Sequence, residues 1–178
     1  DYYGVTGSGS RIFYLDDWDE EEKYGNLYMI EITGDELGKS SIYDMEVRSY
    51  TMFENNEDIY YFKDCQDDSG DLYRDKKRVD FDVDRYQLYS MKSTSSILYV
   101  TDYDEESKEG TLKLYNGNTS IVIGTDVHDF YATDDNFIIY LQDYDIKRLR
   151  GDAYLYDGSK QRKVIDEDVS VIIMVQDN

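Results

Sequence analysis

One motif, written four times, constrains this chain more than any other feature. Ile12-Phe13-Tyr14-Leu15-Asp16-Asp17 recurs as Ile59-Tyr60-Tyr61-Phe62-Lys63-Asp64, as Ile97-Leu98-Tyr99-Val100-Thr101-Asp102 and as Ile138-Ile139-Tyr140-Leu141-Gln142-Asp143. The shared form is Ile, any residue, Tyr, an apolar residue, any residue, Asp. The copies start 47, 38 and 41 residues apart. A second element follows each copy: Gly25-Asn26-Leu27-Tyr28, Gly70-Asp71-Leu72-Tyr73, Gly110-Thr111-Leu112-Lys113 and Gly151-Asp152-Ala153-Tyr154. A third element closes the unit with an apolar residue and then an acid-Val pair. It reads Val79…Asp82-Val83, Ile123…Asp126-Val127 and Ile165…Asp168-Val169, with Tyr43…Glu46-Val47 as the first copy.

These elements read as strands. They are short, rich in Tyr, Ile, Val and Phe, and bounded by turn residues. Asn116-Gly117 and Asp157-Gly158 predict two-residue hairpin turns, which need φ > 0 at both central positions. Asn55-Asn56-Glu57-Asp58 and Asp134-Asp135-Asn136 are polar breaks between apolar runs. No segment sustains helical periodicity, and Asp17 to Lys23 is too charged to give a helix an apolar face. Four strands in ~40 residues is the size of one β-propeller blade, whose two faces are buried only by stacking against neighbours. The sequence therefore predicts an all-β chain, one propeller domain over 1–178. Its four blades fall at about 1–46, 47–82, 83–126 and 127–168, with an extra strand over 169–178. The expectation is an arc or fragment of a larger propeller, because an isolated arc exposes strand edges.

Composition bounds the function. The chain of 178 residues carries 40 acidic and 19 basic residues, a formal net charge of −21. Such a surface repels phosphate backbones and anionic lipid, so nucleic-acid and membrane-surface binding are not expected. There is one cysteine and one histidine. Cys65 makes no internal disulfide, and Cys65 with His128 cannot make a Cys/His zinc site. A Ser-His-Asp apparatus would have to use His128. Aromatics at 15% argue for a folded chain despite the charge. The longest apolar cluster, Val171 to Val175, is far short of the ~20 residues of a membrane helix. The chain opens Asp1-Tyr2-Tyr3 without an initiator methionine, which reads as a segment with any signal or anchor upstream. The single cysteine suits a reducing cytosol and equally an extracytoplasmic protein that avoids disulfides.

The unit Ile138-Ile139-Tyr140…Gly151-Asp152-Ala153-Tyr154-Leu155-Tyr156-Asp157-Gly158…Lys163-Val164-Ile165-Asp166 resembles bacterial secreted β-propeller repeats of the YWTD-like and TolB-like kind. It is most similar to propeller domains of Gram-positive cell-envelope proteins, and the resemblance covers nearly the whole chain. It implies a propeller outside the cytoplasm that binds proteins or peptides. The chain departs from the strict YWTD form, reading Tyr14-Leu15, Tyr61-Phe62, Tyr99-Val100 and Tyr140-Leu141 where the motif has Trp. No calcium or ligand site carries over.

Several acids invite a chemical reading. Asp17-Trp18-Asp19, Asp102-Tyr103-Asp104 and Asp143-Tyr144-Asp145 share an Asp-aromatic-Asp pattern that Asp64-Cys65-Gln66 breaks. Residues i and i+2 on a strand point the same way, so each pair could offer oxygens to Ca²⁺. The competing reading gives each first Asp backbone hydrogen bonds at a loop entry and packs the aromatic between blades. Asp80, Asp82 and Asp84 look like a calcium loop. Their alternation with Phe81 and Val83 predicts instead a half-buried strand with a solvated acid face. Glu20-Glu21-Glu22 and Glu105-Glu106 read as solvated loops. Trp18 reads as an inter-blade wedge, with an exposed contact anchor as the alternative, Cys65 as a packed thiol and His128 as a surface or wall residue. No cofactor is expected, and no metal is required for folding. Two functions remain in view. One is a non-catalytic binding or scaffold module with a protein or peptide partner, a cationic one being favoured by the charge. The other is a carbohydrate-active propeller hydrolysing glycosides with paired carboxylates, although the sialidase-type Asp box is absent and no pair stands out.

Overall fold

The computed structural model describes residues 3–53, 57–91, 96–133, 137–159 and 163–172. The described residues are all-β with antiparallel pairing and contain no helix. They divide into two compact units, Asp1–Arg85 and Tyr86–Asn178.

In the first unit, β1 (Tyr3–Val5), β2 (Arg11–Asp19), β3 (Tyr24–Thr33) and β5 (Ser41–Val47) pair in that order, and β4 (Glu36–Leu37) extends the β3 hairpin tip. A second meander follows: β6 (Ser49–Thr51), β7 (Tyr60–Gln66), β8 (Ser69–Arg74) and the start of β9 (Lys77–Ser90). The core holds Phe13, Leu27, Val47, Ile59 and Tyr61, drawn from both meanders. Residues 86–90 of β9 open the second unit. There β10 (Ile97–Asp104), β11 (Glu109–Tyr115), β12 (Ser120–Ala132), β13 (Ile138–Asp145), β14 (Arg150–Tyr156) and β15 (Lys163–Val169) pair in chain order. Leu98, Val100, Leu112, Ile123, Val127 and Tyr140 lie in its core.

The repeat is visible in the registers. Its tyrosine faces a tyrosine across the hairpin in three copies: Tyr14 opposite Tyr28, Tyr61 opposite Tyr73 and Tyr140 opposite Tyr154. Each pair stacks with ring centroids 5.3, 5.4 and 5.4 Å apart. In the third copy Lys113 stands opposite Tyr99. Tyr61, Tyr99 and Tyr140 are fully buried, whereas Tyr14 is half-buried with its hydroxyl 2.5 Å from Ser40 Oγ.

Bulges lie inside the continuous strands β9 and β12 at the expected blade limits 82/83 and 126/127. The alternation read over Asp80–Asp84 fails. Phe81 is 61% exposed and Asp84 is 5% exposed, because the bulge at Asp82 shifts the phase of side chains by one. Turn chemistry differs as well. The loop at Asn116-Gly117 has four residues between the paired Tyr115 and Ser120, with positive φ only at Gly117. Asn116 Oδ1 accepts from the backbone of Asn118 and Thr119 and carries that turn. A two-residue turn with positive φ at both centres is instead made by Asp75 and Lys76, between the paired Arg74 and Lys77. Residues 55–56, 134–136 and 173–178, where polar breaks and most of the extra strand were expected, lie outside the described residues; 170–172 form no strand.

Candidate functional site

Each repeat carries two backbone kinks whose residues explain the motif. The motif aspartates Asp17, Asp64, Asp102 and Asp143 all have positive φ, between 50 and 55°. At each the pairing slips, as between Asp16 and Asp19 or between Gln142 and Asp145. The acid of the acid-Val pair does the same one strand away: Glu46, Asp82, Asp126 and Asp168 have φ of 49 to 59°. Asp tolerates the left-handed region better than most L-residues, so its recurrence answers a backbone demand. The valine after it resumes pairing, opposite Gly25, Gly70, Gly110 and Gly151 in turn. These glycines lie beneath the first kink. A Cβ on Gly151 would stand 2.9 Å from the Gln142 carbonyl oxygen and 3.2 Å from Tyr144 Cα. On Gly70 it would stand 2.9 Å from the Lys63 carbonyl oxygen.

The six candidate calcium residues are placed by this frame. Asp17 Oδ2 accepts from the Tyr28 hydroxyl at 2.5 Å and from Asn26 Nδ2 at 3.1 Å. These bonds, Tyr28 first, hold its carboxyl below the usual range. Asp102 Oδ2 accepts from Thr101 Oγ1 at 2.8 Å, and Asp143 is exposed. The second acids turn back into their own loops. Asp19 Oδ1 accepts the N–H groups of Glu21 and Glu22, Asp104 Oδ1 those of Glu106 and Ser107, and Asp145 Oδ1 those of Lys147 and Arg148. The backbone bonds lower Asp19 and Asp104. Among the described residues, no three His, Cys, Asp or Glu side chains converge as metal ligands would.

The residue after the first kink lies over the glycine, and here the second and fourth copies differ. In the fourth copy, in the second unit, it is Tyr144, whose ring carbon Cδ2 is 3.2 Å from the Gly151 Cβ position. The ring stacks on His128 with centroids 3.8 Å apart and planes 2° apart. His128 Nδ1 lies 2.9 Å from the Lys108 carbonyl oxygen, which only accepts, so Nδ1 carries the proton. Glu109 Oε1 accepts the Tyr144 N–H at 2.7 Å. In the first unit Cys65 replaces the tyrosine and Arg48 replaces the histidine. Arg48 Nη1 donates to the Lys23 carbonyl at 2.7 Å, the same bond that His128 makes to Lys108. Its guanidinium carbon lies 5.9 Å from the ring centre of Trp18, which is 40% exposed and rests on Gly25. Trp18 is thus a surface ring and not a buried wedge.

With no ring at position 65, a groove of about 480 Å³ opens in the first unit. Lys23, Tyr24, Arg48 and Cys65 line it, with Glu22, Glu46, Asp64 and Asp67 as its carboxylates. The half-buried Cys65 Sγ sits 3.6 Å from the Lys63 carbonyl oxygen, and burial pushes the thiol up against the pull of Arg85 and Arg48. A raised thiol is a poor nucleophile near neutral pH. The alternation of side chains in sequence missed this groove. Its one sequence signal is the break in the Asp-aromatic-Asp pattern at Cys65.

A second polar cluster of the first unit is structural. Tyr61 donates to Asp44 Oδ2 at 2.6 Å, and Lys63 Nζ lies 3.0 Å from Asp44 Oδ1. Burial raises Asp44, but these partners outweigh it and the net direction is down. Tyr43 is pushed up to about 12, by burial and then by the charge of Asp75. Asp75 is itself raised, first by burial and then by a hydrogen bond with Asp58. Asp58 is paired with Arg74 at 2.6 Å. Two carboxyls in hydrogen-bond contact are closer than the roughly 5–10 Å that flanks a glycosidic bond. Asp75 Oδ1 instead serves the Ile59 N–H and the Tyr43 hydroxyl.

No family model and no curated protein matches the chain. Among solved structures it is similar to a chain of hydrazine synthase from Kuenenia stuttgartiensis, at 12% identity with a TM-score of 0.41. The likeness covers 91% of this chain and 52% of that one, so the chain spans about half the length of that structure. At this level it informs neither fold family nor activity.

Proposed function

We propose that this chain is a non-catalytic recognition module built from four propeller blades of an extracytoplasmic bacterial protein. Its partner is a cationic segment of another protein. The blade reading is supported by four four-stranded antiparallel meanders that share two kinks and one glycine. Placement outside the cytoplasm rests on the resemblance of the repeats. The observation that carries the function is the groove beside Arg48, which sets four carboxylates against two cations at an open mouth. Carboxylates facing one site attract cationic groups and orient them on approach.

The test is titration of a lysine hexapeptide into the full chain at about 0.15 M salt, where the Debye length is about 8 Å. Glu22→Gln with Asp67→Asn removes two groove charges. Asp35→Asn with Glu36→Gln removes two from the exposed β3–β4 turn. The groove pair is expected to weaken binding several-fold and the turn pair to change it little. Equal loss in both would mean diffuse attraction and no recognition site. Release of nitrophenol from aryl glycosides would replace this reading with the hydrolytic one.

A further inference from the structure

We infer that the groove of the first unit receives an aromatic side chain of the partner, flanked by lysine or arginine, and stacks it on Arg48. The inference rests on the recognition reading and names what that site selects. The molecule supplies its own template. Asp64-Cys65 and Asp143-Tyr144 occupy the same register: each follows the motif tyrosine, each begins with a left-handed aspartate, and each second residue lies over the repeat glycine. Val47-Arg48 and Val127-His128 match in the same way, down to the bond each makes to a loop lysine carbonyl. In the second unit this corner is closed by a phenol ring lying flat on a planar cation-capable side chain at 3.8 Å. In the first unit the planar group is present as Arg48 and the ring is missing.

Guanidinium is planar, delocalised and weakly hydrated, and it stacks on aromatic faces. An incoming tyrosine ring therefore finds at Arg48 the contact that Tyr144 makes on His128. Tyr24 lines the groove where the second unit has Glu109, and adds an aromatic wall. The four carboxylates around it disfavour an acidic ligand and favour lysine or arginine beside the ring. Gly70, having no Cβ, lets the Cys65 thiol lie against the backbone.

The experiment compares acetyl-Lys-Tyr-Lys-amide with acetyl-Lys-Ala-Lys-amide by calorimetry on the full chain. The tyrosine peptide is expected to bind roughly tenfold tighter, the range of one stacked cation–π contact. Cys65→Tyr, which writes the repeat's own ring into the groove, should level the two peptides. Cys65→Ser should leave the preference intact. A second readout needs no variant. Cys65 is the chain's single thiol, so alkylation by iodoacetamide should be slowed by the tyrosine peptide and not by the alanine one. Equal binding of both peptides to the natural chain overturns the aromatic subsite and leaves cation recognition standing. So does a preference that survives Cys65→Tyr, or equal slowing of alkylation. Failure of both peptides to bind removes the recognition reading and the subsite together.

Discussion

The Arg48–Cys65 corner of the first unit and the His128–Tyr144 corner of the second are built on one backbone. Both have a left-handed aspartate, a glycine beneath it, and a side chain that grips a lysine carbonyl. They differ where a single side chain either fills the space or leaves it. The lesson is that the repeated residues of this chain serve its shape. Open space is left where the repeat lapses, at Cys65.

That comparison can be broken at four levels. The strongest test asks whether the frames are equal. Tyr61→Ala and Tyr140→Ala each remove a fully buried, stacked ring and should cost about 3–5 kcal/mol in their own units. Tyr14→Ala removes a half-buried one and should cost well under half as much. Chemical denaturation of the three variants checks this, and a Tyr14 cost equal to the others would show that burial does not set the scale. Next, Tyr144→Cys turns the closed corner into the open one. Losing the stack on His128 should cost about 1 kcal/mol, while Cys65→Tyr should leave the melting temperature unchanged or raised. If Cys65→Tyr unfolds the chain, the corners do not share a geometry.

The third test concerns the kink. Asp64→Ala and Asp143→Ala put Ala at φ of 50 and 55° and should each cost about 1 kcal/mol, whereas Asn at either site should cost little. Loss by Asn equal to loss by Ala would assign these acids a charge role that the backbone does not require. The smallest effect is pH-dependent. Asp75 has its pKa raised in the fold, so the stability it contributes is fully present below its unfolded pKa and is lost as pH rises through the folded one. Asp75→Asn keeps the acceptor oxygen and the left-handed turn. It should stabilise the first unit near neutral pH by on the order of 0.5 kcal/mol, discounted for partial exposure, with the gain vanishing in acid. Asp44 runs the other way. Its lowered pKa adds stability above the unfolded carboxylate range that is lost as pH falls through the folded value, so Asp44→Asn should destabilise at neutral pH. Thermal melts across acid to neutral pH distinguish the two signs.

The strands, the four copies and the all-β class were legible because they recur, and recurrence survives the loss of local detail. The kinks were not. A bulge belongs to a pair of strands, so Asp82 gives no hint in its own neighbourhood that it will turn Phe81 outward and Asp84 inward. The acids tempted a calcium reading because i and i+2 share a face only on an unbroken strand, and each pair here straddles a register slip. The Asp75-Lys76 turn escaped notice because lysine stands where glycine would have signalled it. The groove is a missing ring, and a missing ring can be read only against copies that have it.

The stacked tyrosines and the solitary tryptophan also give the molecule two separate optical channels. Phenol rings held about 5.4 Å apart in a fixed chiral frame couple their transitions, so near-ultraviolet circular dichroism follows Tyr61–Tyr73 in the first unit and Tyr140–Tyr154 in the second. Trp18 belongs to the first unit alone, half in water and 5.9 Å from the Arg48 guanidinium. Its emission is tuned by a charge that borders the groove. Light of one wavelength thus records the loss of order in both units, and light of another records only what happens beside Arg48.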